Sequence, residues 1–391
     1  MSADGRLLVV GAWFERSSAT GINGEQSNNS SRSGAAYVFA RDDAGWSQTA
    51  YVKASNTGTD DNFGWSVAVS GDGRTFAIGA PGEDGASTVI NGDQTSNAAS
   101  NSGAVYVYSD GTAGWEQQAY IKASNTGAGD DFGRAVSLSF DGDLLVVGAP
   151  GEDGSAVGVN GVVDDSAANS GAAYLFSRTS TTWSEVAYLK ASNTEASDDF
   201  GRSVSVSPDG RYVGVGAPGE DSGATGLNGD ETDNGEGSAG AVYLFEYDSV
   251  AGLRQLVYMK PSNSGIGDQF GASLALSSDA NVVVVSSIAE DGASAGVGGN
   301  PRNNSLTDSG AAFVFTRGGD GWREHAYAKA SNPDSSDYFA TWVACSSDGT
   351  TFVSVSYNER SSATGIDGNQ SDNSLSMSGA AYVFRLFSPA P

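Results

Sequence analysis

"FGRAVSLSFDGDLLVVGAP", Phe132–Pro150, is the stretch from which the fold can be read. Its first half alternates apolar side chains with small or polar ones, the period of two expected of a half-buried strand. Asp141-Gly142 then supplies a tight hairpin signal. "LLVVGAP" is a second, wholly apolar strand closed by Gly-Ala-Pro. The segment 151–170, rich in Gly, Asn, Asp and Ser, is too polar to be a core element. "GAAYLF" from Gly171 predicts a third strand and "WSEVAYLKA" from Trp183 a fourth. "SNTEASDD" leads on to the next Phe-Gly, at Phe200.

This unit recurs. "YVKASN" at Tyr51 returns as "YIKASN" at Tyr120, "YLKASN" at Tyr188, "YMKPSN" at Tyr258 and "YAKASN" at Tyr327, at intervals of 69, 68, 70 and 69 residues. Phe-Gly opens the first strand at Phe63, Phe132, Phe200 and Phe270, while Phe339 is followed by Ala340. Gly-Ala-Pro closes the second strand at Gly79, Gly148 and Gly216. No capped amphipathic helix is visible. Four strands at a fixed period predict an all-β chain, a β-propeller of four-stranded blades. A β-solenoid, the main rival, has shorter coils and needs no hairpin in each. The chain then reads as one propeller domain, 1–391, with blades at approximately 1–56, 57–125, 126–193, 194–263, 264–332 and 333–391. Six second and third strands stand against five first and fourth strands, so the first and last blades are incomplete. The expectation is an excised piece, either closed as a six-blade ring or part of a seven-bladed one.

Composition narrows the function. Twenty Lys+Arg against forty-seven Asp+Glu give a net charge of −27, which repels nucleic acid and anionic membranes. No run approaches the ~18 apolar residues of a membrane helix. Cys345 is the one cysteine and His325 the one histidine, so neither an internal disulfide nor a multi-histidine zinc site is available. The N-terminus lacks the charged and apolar regions of a signal peptide, which suits a chain truncated from a larger parent protein.

Phe-Gly opening one strand and Gly-Ala-Pro closing the next, repeated along nearly the whole chain, resemble the FG-GAP repeats of integrin α subunits and of bacterial surface and secreted proteins. "GAPGEDSGATGLNGDETDN" followed by "GAVYLF" is especially similar to the bacterial, integrin-like type. The resemblance implies a propeller at the cell surface or outside the cell, acting in adhesion or binding rather than catalysis, with a protein or glycan ligand and neighbouring domains. Integrin-type repeats often carry an Asp-x-Asp-x-Asp-Gly calcium loop between the first two strands. Here that turn is only "SGDG", "SFDG" or "SPDG", too few carboxylates for a calcium shell, so Asp72, Asp141 and Asp209 do not inherit the site.

Every lysine lies in the recurring phrase, and an aspartate follows each by eight residues. The pairs are Lys53 and Asp61, Lys122 and Asp130, Lys190 and Asp198, Lys260 and Asp268, Lys329 and Asp337. The fixed spacing predicts a structural ion pair in each blade, meeting a recurrent loop glutamate (Glu15, Glu83, Glu152, Glu220, Glu290, Glu359) at one end of the blade. The functional alternative is an anion-binding row of lysines. The long loops also hold Glu83-Asp84, Glu152-Asp153, Glu220-Asp221 and Glu290-Asp291, whose oxygens suit a hard cation such as Ca2+. Their other reading is as polar turns. Trp46, Trp115, Trp183 and Trp322 open the fourth strands and are expected to pack rather than to stack on sugars. No blade breaks the repeat with a convergent acid, base and nucleophile. The readings that stay open are a non-enzymatic binding scaffold, a propeller enzyme or lectin with a pocket at the channel mouth, and a structural spacer.

Overall fold

The computed structural model describes residues 1–386, as two compact units that meet between Gly210 and Arg211 in the sequence. In the first unit, β1 (Leu7–Ala12), β2 (Ala35–Asp42) and β3 (Gly45–Val52) form a three-stranded antiparallel sheet. β4 (Ser66–Val69), β5 (Thr75–Ala80), β6 (Ala104–Gly111) and β7 (Gly114–Ile121) form a four-stranded meander. So do β8 (Ala135–Leu138), β9 (Leu144–Ala149), β10 (Ala172–Thr179) and β11 (Thr182–Leu189). β12 (Ser203–Val206) begins the fourth repeat.

The second unit starts with β13 (Tyr212–Ala217), β14 (Ala241–Asp248) and β15 (Gly252–Met259). A four-stranded meander follows, of β16 (Phe270–Leu276), β17 (Val282–Ser287), β18 (Ala311–Gly318) and β19 (Gly321–Ala328). The last sheet has three strands, β20 (Trp342–Cys345), β21 (Thr351–Ser356) and β22 (Ala380–Arg385). The fold is an all-β propeller of four-stranded blades in six repeats, with the first and last blades incomplete. Among the described residues there is no helix, and none long and apolar enough to cross a membrane.

Burial follows the strand pattern. The second strands β5 and β13 are buried at every position, while the fourth strands β7 and β11 are continuously buried only over their last three residues. Successive sheets pack face to face. Val105, Val107 and Ile121 of one sheet meet Phe132, Leu145 and Val147 of the next, and Phe270, Val283 and Phe313 share a layer with Val242 and Leu244. Removing such surface from water is the main force holding sheet to sheet. Each third and fourth strand pair carries a β-bulge at one position, between Leu175 and Phe176 for example, which adds local twist to the outer strand.

The two glycines of the repeat have one cause. The Gly133 amide donates to the Gly148 carbonyl at 3.0 Å. A Cβ on Gly79 would lie 2.0 Å from the Gly133 carbonyl oxygen, and one on Gly148 only 1.9 Å from that of Gly201. The Phe-Gly glycine of one repeat thus sits against the Gly-Ala-Pro glycine of the repeat before it, closer than any side chain permits. Where the fifth repeat has Ser286 in place of its Gly-Ala-Pro glycine, the sixth has Ala340 in place of its Phe-Gly glycine.

Candidate functional site

Wherever a repeat has its outer, fourth strand, the lysine that directly follows it is turned into the interior. Lys53, Lys122, Lys190, Lys260 and Lys329 have fully buried side chains. Their carboxylate partner is the loop glutamate. Lys53 binds Glu15, Lys122 Glu83, Lys190 Glu152, Lys260 Glu220 and Lys329 Glu290, at 2.8–3.0 Å. The ammonium also donates to a serine hydroxyl at the start of the third strand, Ser102 for Lys122 and Ser170 for Lys190, both at 2.7 Å. A third bond goes to the Gly103 or Gly171 carbonyl. Burial pulls these lysines below their usual range, and the adjacent glutamate opposes it.

The glutamate is equally occupied. Glu152 Oε1 accepts from the Tyr188 hydroxyl and the Asn125 amide, both at 2.8 Å, and Oε2 accepts from Lys190 and the Gly154 amide. Glu83 has the same set from Tyr120, Asn56, Lys122 and Gly85. Asn125 ends the phrase of one repeat and Glu152 belongs to the next, and Tyr174 donates to Asn125 Oδ1 at 2.6 Å. The phrase Tyr-x-Lys-x-Ser-Asn therefore binds its own blade through Tyr and Lys and the following blade through Asn.

The aspartate eight residues after each lysine has a different task from the ion pair expected of it. Asp61, Asp130, Asp198 and Asp337 accept the backbone amides of Gly58, Gly127, Glu195 and Asp334 at 2.6–2.9 Å, and Asp268 that of Gly265. Each caps the turn between repeats, a local job that explains its fixed spacing. These carboxyls are buried. Desolvation, with nearby Glu83, pushes Asp61 up to about 7; desolvation with Glu290 pushes Asp268 up to about 8. Asp130 and Asp337 rise to about 6, burial again leading.

The Glu-Asp pairs read as calcium ligands diverge. Asp84 accepts the Asn101 amide, Asp153 that of Asn169, Asp221 that of Ser238 and Asp291 that of Asp308, at 2.7–2.8 Å. In every pair the glutamate goes to lysine and the aspartate ties the two ends of the long loop together. No three carboxylate, histidine or cysteine side chains converge as a metal cage among the described residues. In the hairpin turn, Asp72 Oδ1 accepts from Ser70 and from the Arg74 amide, and Asp141 and Asp348 repeat the pattern.

Trp183 is buried, Trp115 and Trp322 pack partly into the core, and Trp46 stands exposed. Arg134, which follows Phe-Gly, lies over the Trp65 ring at 4.0 Å. The sequence pattern had singled out Lys, Asp and Glu. The Tyr hydroxyl, the closing Asn and the third-strand Ser went unassigned, although their recurrence in step with the lysine was the available signal.

The sequence model of the FG-GAP repeat matches residues 46–108, 115–176 and 183–245. Each match runs from the fourth strand of one sheet through the third strand of the next, as 46–108 spans β3 to β6. No curated protein sequence matches significantly. Solved structures of similar shape include Kuenenia stuttgartiensis hydrazine synthase, at 13% identity and TM-score 0.43, over 82% of this chain and 76% of that one. A 6-phosphogluconolactonase homologue from Bacteroides uniformis aligns at 12% identity and TM-score 0.43, over 97% and 99%. Identities and scores this low carry nothing about activity.

Proposed function

The chain belongs to the FG-GAP repeat proteins, and from that premise we propose that it is a non-enzymatic binding or adhesion scaffold whose long acidic loops meet a protein or glycan ligand. The observation that supports this is a division of labour among its carboxylates. Those with reactive surroundings recur once per repeat and are spent on internal partners, whereas the loop tips keep Asp93, Asp164, Asp165, Asp230 and Asp233 exposed. These tips have shape as well as charge. Asp164 holds Ser155 and Ser166, and Asp230 holds Thr232 by both its amide and its hydroxyl. A preorganised loop loses less entropy on binding. The work would be done at the cell surface or outside the cell, as part of a larger protein.

The test is a glycan array and a panel of immobilised extracellular proteins, probed with the native chain and with the quadruple variant Asp164→Asn, Asp165→Asn, Asp230→Asn, Asp233→Asn. Asparagine keeps the turn bonds and removes the charge. Binding that falls at least tenfold in the variant supports the loops as the contact surface. Binding indifferent to the substitutions would move the contact elsewhere. Turnover in a broad hydrolase and lyase screen would favour the enzyme reading.

A further inference from the structure

The turn that opens each first strand has one backbone and several sets of side chains. The residue before its phenylalanine is left-handed at Asn62, Asp131, Asp199, Gln269 and Tyr338, with φ of 52–57°. Its carbonyl accepts from the amide three residues on, Trp65, Arg134 and Arg202 at 3.0 Å, Ala272 and Thr341 at 3.3 Å. Alanine suffices at 272, so the turn itself does not call for tryptophan or arginine there. The backbone is fixed by the repeat, and the side chains are free to serve something else.

In the first unit these side chains converge. Arg134 lies flat over the Trp65 ring at 4.0 Å, and Trp65 also meets Trp13 at 4.6 Å. Trp13 stands where later repeats have Pro81, Pro150 and Pro218, so departures from the repeat gather in one place. Arg134 and Trp65 are half-buried and Arg202 is exposed. Burial pulls Arg134 down to about 10, and the charge of Arg202 adds to that, against Asp131 and Asp199. Burial raises both aspartates, and the two arginines oppose it. The four charges thus share one neighbourhood. Yet among the described residues neither guanidinium donates a hydrogen bond or comes within 4.0 Å of a carboxylate, and neither aspartate side chain accepts a hydrogen bond. Arg178, also half-buried, is by contrast bonded to Asp143, Thr75 and Gln118. Asn62 Oδ1, in the turn of Trp65, is buried and has no hydrogen-bond partner.

We propose that Arg134 and Arg202, backed by Trp65, bind a hexuronic acid residue of an acidic glycan. A guanidinium laid on an indole is held in orientation and keeps its edge N–H groups for a carboxylate. Asp131, Asp199 and Asn62 supply acceptors for ring hydroxyls, so donors and acceptors left without partners in the protein gain them from one ligand. Two arginines and two aspartates sum to no net charge, which favours a singly charged carboxylate over a phosphate dianion. The site uses none of the loop-tip aspartates, so its test is independent of theirs.

The experiment is isothermal titration calorimetry of the whole chain with trigalacturonate and triglucuronate. One of them should bind saturably at one site per chain. Its methyl ester, which keeps the ring hydroxyls and loses the charge, should bind weaker by about tenfold or more. Arg202→Gln, at an exposed position, and Arg134→Lys, which keeps the charge and loses the fork, should each weaken binding by about the same factor. If the Arg134 variant fails to fold, the Arg202 variant and the ester still decide. Absence of binding by both oligomers, equal binding of the ester, unchanged affinity in either arginine variant, or displacement by an equal concentration of sulfate would overturn the proposal.

Discussion

Replacing Lys190 with methionine tests the repeated ion pair. The substitution keeps the aliphatic stem and deletes an ammonium that donates to Glu152 at 2.8 Å, to Ser170 at 2.7 Å and to Gly171. Glu152, with its side chain 2% exposed, is left charged and without a cation. Breaking such a pair ordinarily costs about 3–5 kcal/mol. Here the carboxylate keeps Tyr188, Asn125 and the Gly154 amide, which places the loss near the lower figure.

The assay is urea unfolding of the native chain and the Lys190→Met variant at pH 7.5, with an expected loss of about 3 kcal/mol. A second comparison in a Glu152→Gln background should reduce the cost of the lysine substitution to about 1 kcal/mol, that of neutral hydrogen bonds. A loss below about 1 kcal/mol at pH 7.5, or one that the Glu152→Gln background leaves unchanged, would refute the reasoning.

Other outcomes follow from the same geometry. The native chain should be more stable at pH 5 than at pH 8: Asp61, Asp130, Asp268 and Asp337 have folded values of about 7, 6, 8 and 6, so their destabilisation is absent below about 4, grows as pH rises from there towards those values, and is complete above them. A urea midpoint that climbs from pH 5 to 8 would contradict this. Gly171→Ala, at φ +77° with a new Cβ 2.1 Å from the Phe200 carbonyl oxygen, should cost clearly more than Gly158→Ala, at φ +74° in open space. The latter bears only the left-handed penalty of about 1–2 kcal/mol, and equal melting temperatures for the two would remove the close approach as a cause. Calcium and magnesium at fixed ionic strength should shift melting equally, because Glu83, Glu152, Glu220 and Glu290 are held by lysine; a calcium-specific heat in calorimetry would return them to the metal.

The sequence by itself determined the elements and their repetition. Alternation marked β8 before its start at Ala135, the apolar run marked β9, and the aromatic runs marked β10 and β11, because these signals depend on residues within one strand. It also showed that lysine and a carboxylate belong together in every repeat. Which carboxylate was decided only by the tertiary structure. Aspartate at a constant eight residues proved to be a local turn cap, since a constant short spacing is what a backbone turn imposes. The true partner lies 38–40 residues earlier, across two antiparallel strands and a long loop, and that separation drifts with loop length. Sheet register brings the two together. The same holds for the paired glycines. Each is legible alone as a turn or strand-end residue, but their joint cause is a backbone approach of under 4 Å between successive sheets, which exists only once the sheets have packed.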